Sequence, residues 1–205
     1  MTIPELITRA RPYPVFTISE CHHWFPDMSR AALTVALARA VRKGYLLHIK
    51  RGLFLLHEQP LPDRAIVAMK LDSRSTISME TILSEAGVIP EAVFAVTAVT
   101  PAGTAEYTTK PFGSFFFRHE KPSLDCGWRL ERRGAYTVRI ASPEKALLDL
   151  LWFHRFESSP RAYVEELRLT IPERFSWKQF RAYARIAAHP GCTRLARAVE
   201  EQHRL

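Results

Sequence analysis

Residues 29–56, SRAALTVALARAVRKGYLLHIKRGLFLL, constrain the chain more than any other stretch. Leu33, Leu37, Ala40 and Val41 recur at i, i+4, i+7 and i+8, which lines one side of an α-helix with apolar groups. Arg39 and Arg42 lie off that stripe, and Gly44 stops the helix. Ala31, Ala32, Ala36 and Ala38 are small enough for the helix to approach a neighbour or a groove closely. Beyond the stop, residues 45–49 and 53–56 read as two strands joined by Lys50-Arg51-Gly52. Gly52 supplies the positive φ that a tight hairpin requires.

Two shorter helices are expected upstream. The first covers residues 4–9, with Pro4 at its opening position, and the two prolines of residues 11–15, RPYPV, break it. Thr17 or Ser19 caps the second, which Pro26 ends, and Asp27 or Ser29 caps the long third helix. Three helices followed by a basic β-hairpin is the order of a winged helix-turn-helix, whose last helix lies in the DNA major groove. On this reading residues 1–58 are a DNA-binding domain. Ser29 and Arg30 open the recognition helix, and Thr34 follows one turn on. Arg30 suits a bidentate guanine contact and Thr34 a thymine methyl. Arg39, Arg42, Lys50 and Arg51 suit phosphates, which position a protein without specifying sequence. Each of these charges is equally well read as a solvated surface group, and helix-turn-helix shapes also serve as dimerisation or docking modules.

Charge is uneven along the 205 residues, whose net charge is +8. Residues 1–57 hold eight Lys/Arg against three Asp/Glu, residues 58–157 twelve against thirteen, and residues 158–205 nine against five. Basic ends favour capture of a polyanion. A chain this long buries a core without disulfide or metal. Cys21, Cys126 and Cys192 are odd in number and far apart, so neither a disulfide framework nor a zinc site is expected. His22 and His23 beside Cys21 diverge on a helix and make a poor ligand pair, while Trp24 and Phe25 anchor that helix in the core. No metal and no cofactor is expected. No apolar run approaches the ~20 residues that span a bilayer, and the N-terminus lacks a signal peptide's apolar core. A cytoplasmic protein with no membrane partner is the expectation.

Residues 59–63, QPLPD, read as a hinge, and residues 63–205 as an α+β domain with a helical C-terminal part. Helix is expected at 64–72 and from about Met79 to Gly87, strands at 92–99, 112–119 and 135–140, and later helices at 161–169, 177–189 and 192–202. At residues 142–151, SPEKALLDLL, Ser142 is a good N-cap, Pro143 fits the first helical position, and Glu144 suits the positive end of the helix dipole. Glu144, Lys145 and Asp149 are the one tight acid–base cluster. Capping explains it better than a nuclease site does. No phosphate-cradling glycine loop, GxSxG or HExxH is present, so no catalytic residue and no enzyme is expected.

Taken together, GYLLHIKRGLFLL, SMETILSEAGV and ASPEKALLDLL resemble the AbiEi-type antitoxins of bacterial type IV toxin–antitoxin systems, over roughly residues 15–155. The resemblance implies an N-terminal winged helix that binds repeats in its own promoter and represses it. It implies a C-terminal domain that carries the antitoxin activity. The partner would be a nucleotidyltransferase-like toxin, opposed without a stable complex. Ser29, Arg30, Thr34, Arg39, Lys50 and Arg51 then fall on DNA-reading elements. The resemblance leaves the oligomeric state open. The alternative is a stand-alone regulator whose second domain senses a ligand or dimerises.

Overall fold

Thr2 opens the first helix, α1 (Ile3–Ala10). Its hydroxyl accepts the Glu5 N–H while the Glu5 carboxylate accepts the Thr2 N–H, so two orphan donors are satisfied reciprocally. Thr17 and Glu20 repeat the arrangement at α2 (Ile18–Trp24), so Thr17 rather than Ser19 is the cap. Ser29, not Asp27, caps α3 (Arg30–Arg42). The structure, a computed structural model, describes residues 1–13, 15–57 and 60–203. Pro14 of the expected helix break, Gln59 of the expected hinge, and the expected domain ends at 58 and 205 lie outside the described residues.

The protein is a mixed α+β chain that divides into two compact units. The first comprises Met1–Ser73, Thr108–Gly113 and Arg132–Val138. Besides α1 to α3 it contains β1 (Val15–Thr17), β2 (Leu46–Lys50), β3 (Leu53–Leu56) and α4 (Arg64–Leu71). The three strands form one antiparallel sheet in the order β1-β3-β2. Leu6, Phe16, Phe25, Leu33, Leu37 and Leu56 meet in one apolar core, and Trp24 and Val41 pack partly buried against it. Of the expected stripe of the third helix, Leu33, Leu37 and Ala40 face inward and are fully buried, while Val41 is half-buried and lies toward the hairpin side.

The second unit comprises Arg74–Tyr107, Ser114–Glu131 and Arg139–Leu205. The chain's larger sheet runs in the order β6-β7-β5-β4-β9-β8. Its strands are β4 (Thr76–Ile77), β5 (Val96–Thr100), β6 (Ala105–Thr109), β7 (Gly113–His119), β8 (Trp128–Arg133) and β9 (Tyr136–Ala141). β4 runs antiparallel to β5 and parallel to β9, and β5 runs parallel to β7. β6 and β8, both at sheet edges, carry no apolar run and were not expected from the sequence. The helices are α5 (Glu80–Glu85), α6 (Pro143–Phe153), α7 (Pro160–Glu166), α8 (Trp177–Ala187) and α9 (Pro190–Gln202), with α6 packed against α5, α8 and α9.

α6 begins as its residues dictate. The Ser142 hydroxyl accepts the Lys145 N–H at 3.2 Å and Pro143 occupies the first turn. Ser142→Ala should lower stability by about 1 kcal/mol, read as a shift in the urea midpoint with unchanged slope. The charges of this helix do more than cap it. Glu144 accepts the Ser176 backbone N–H at 2.7 Å, and Lys145 and Asp149 are buried. Capping therefore accounts for Ser142 alone, and the acid–base cluster is a set of tertiary contacts.

Candidate nucleic-acid interface

In the first unit α3 presents three faces. One is the buried stripe. The second consists of Arg30, Thr34, Ala38 and Val41, one turn apart along the helix. They line a cleft of about 640 Å³ whose other wall is His48, Arg51, Gly52 and Phe54 of the β2–β3 hairpin, with Ile18 completing it. The third face carries Ala31, Val35, Arg39 and Arg42, all exposed, with Val35 at 58%.

The expected contact residues divide accordingly. Arg30, Thr34 and Arg51 converge on the cleft from two elements and are exposed. Ser29 is exposed, but its hydroxyl accepts the Ala32 N–H at 3.2 Å and is occupied as the cap. The Thr34 hydroxyl donates to the Arg30 carbonyl at 2.8 Å, so its proton is committed within the helix and its methyl remains for a partner. Arg39 and Arg42 lie round the helix from the cleft. Lys50 is half-buried and its Nζ donates to the Leu71 carbonyl at 3.4 Å.

The hairpin is held at its tip. Gly52 takes φ +78°, and its carbonyl accepts the Ile18 N–H at 2.9 Å, which ties the turn to the start of α2. His48 was not singled out from the sequence. It is exposed in the cleft wall, its ring 5.3 Å from that of Phe54, its partner across the β2–β3 pair. A lone polar ring in an apolar strand, two residues before the basic turn, is the signal that would have found it.

The second unit contains a different constellation. Lys145 Nζ donates to Glu120 at 2.9 Å and to Asp149, and the Ser78 hydroxyl donates to Asp149 at 2.6 Å. All four residues are 0–3% exposed. Burial, and then the charge of Asp149, push the Glu120 carboxyl up to about 7 against the pull of Lys145. Among the described residues no group of three or more His, Cys, Asp or Glu is arranged to hold a metal, and the three cysteines are unpaired. No described helix is long and apolar enough to cross a membrane.

The chain matches no protein-family model, and its sequence matches no curated protein.

Proposed function

We propose that the first unit is a winged helix-turn-helix that reads double-stranded DNA, and that the protein is an autorepressor and antitoxin of the AbiEi type. One observation carries the DNA reading: Arg30 and Thr34 of α3 and Arg51 of the hairpin meet around a single open cleft. The order of elements, with the hairpin following the third helix and β1 completing its sheet, supports the same reading. Arg30 and the Thr34 methyl face base edges, Arg51 and His48 face the backbone, and Arg39 and Arg42 meet phosphates flanking the helix. The second unit opposes a nucleotidyltransferase-like toxin without a stable complex. Its acid–base cluster is sealed from solvent and serves the fold, so no catalytic role is assigned.

Fluorescence anisotropy with the DNA upstream of the protein's own gene tests the repressor half. Arg30→Ala should cost about 1–3 kcal/mol on the preferred site and relax its base preference. Arg51→Ala should weaken all sequences alike and reduce the salt slope by about one. A salt-insensitive interaction, or none at physiological salt, overturns the reading. Co-expression with the neighbouring toxin gene tests the other half, and failure to restore growth removes it.

A further inference from the structure

The SMETILSEAGV segment is not used by the DNA reading, yet it forms one wall of a second cleft, inside the second unit. Met79, Glu80, Thr97, Phe116, Arg118 and His154 line about 530 Å³, together with apolar side chains. The size suits a small organic ligand. Strand alternation builds the floor. Phe115 and Phe117 turn to the core and are 0–1% exposed, so Phe116 and Arg118 share the opposite face, with Thr97 paired to Phe116 on the neighbouring strand.

Three features of this cleft lack a structural explanation. Glu80 Oε2 is buried and accepts no hydrogen bond, an arrangement that costs stability. Met79, which precedes it, holds φ 55° and ψ −136°, a left-handed region that side chains rarely adopt and that concentrates at binding sites. Arg118 is half-buried, and neither it nor Glu80 has an ion-pair partner among the described residues. The His154 ring is fixed beside them. Its Nδ1 bonds the Leu150 carbonyl at 2.9 Å and it stacks on Tyr163 at 4.8 Å, which leaves Nε2 as its remaining polar atom.

We infer that the cleft binds a zwitterion of the α-amino-acid class with an apolar side chain. The ligand's ammonium group donates to Glu80, its carboxylate pairs with Arg118, and its side chain lies among Phe116, Phe153 and Val93. A purely anionic ligand would leave the Glu80 carboxylate without a cation, and a purely cationic one would leave Arg118 unpaired. A ligand carrying both charges satisfies both walls.

Isothermal titration of the full chain with leucine, methionine and phenylalanine tests this. Leucinamide, which lacks the carboxylate, and 4-methylpentanoate, which lacks the ammonium, are the comparison ligands. At least one amino acid should bind, and both comparison ligands should bind about tenfold or more weakly, the effect of one lost charge-assisted hydrogen bond. Glu80→Gln and Arg118→Met should each lower the amino acid's affinity by a similar factor while circular dichroism stays unchanged. Absence of binding by all three amino acids at millimolar concentration overturns the proposal. So does equal binding of either comparison ligand, a result that needs no variant to fold.

Discussion

Lys145→Met is expected to cost about 3–5 kcal/mol of folding stability, because it leaves two carboxyl groups in the interior without their cation. Met preserves the length and packing of the side chain, so the loss reports charge rather than a cavity. Lys145 is the shared donor to Glu120 and Asp149, and all three are sealed from water. The cost should depend on pH, with a defined sign. Burial first, and the Asp149 charge second, raise Glu120 from 4.5 to about 7, so between those values the folded chain holds a proton that the unfolded chain has released. This stability is fully present below the unfolded value and is lost as pH rises through about 7. Removing the ammonium raises both acids further. Urea titrations should therefore find the variant's deficit smaller at about pH 5, where Glu120 is protonated, than at about pH 8. Glu120→Gln should flatten the dependence in the parent protein. An equal deficit at both pH values would mean that the cluster's charges are not isolated from solvent.

Which parts of this molecule its sequence discloses follows from how local each determinant is. Ser29 and Ser142 are legible as caps because an N-cap acts on a backbone N–H three residues on. The α3 stripe is legible because Leu33, Leu37 and Ala40 all face one core. α6 offers no such stripe, since every residue from Glu144 to Leu151 is buried. Its charges therefore resemble a solvated helix start when they are tertiary bonds. Glu120 lies 25 residues before Lys145 in the chain, and nothing in its own neighbourhood marks it as the partner. β6 (AEYTT) and β8 (WRLERR) are edge strands with exposed, charged faces, so alternation of apolar residues is missing where pairing on one side suffices. Lys50 and Arg51 are adjacent and equally basic. One turns toward the Leu71 carbonyl and the other lines the cleft beside Arg30, a distinction that only the packing of the hairpin makes. The Glu80 cleft is of the same kind, assembled from a helix start, two strands and the end of α6.

Gly191→Ala should lower stability on the order of 3 kcal/mol or more, although helix propensity alone argues the opposite. Gly191 lies inside the first turn of α9, one residue after Pro190, and the His189 Nδ1 accepts its N–H at 3.1 Å. In a helix, alanine ordinarily gains about 1 kcal/mol over glycine. Here a Cβ would stand 1.7 Å from the Arg155 carbonyl oxygen and 2.8 Å from its carbon, well inside van der Waals contact. The obstacle is backbone, just beyond the end of α6, so no rotamer change relieves it. Either α9 withdraws from α6 or the chain after His154 distorts, and both open a core that holds Cys192 and Leu195 fully buried. For a chain of this size the thermal midpoint should fall by roughly 10 °C. Gly103→Ala is the matched comparison, since a Cβ there meets nothing within 4 Å and should leave the midpoint unchanged. If Gly191→Ala instead raised the midpoint, propensity would outweigh contact, and α9 could not pass as close to Arg155 as the 1.7 Å separation requires.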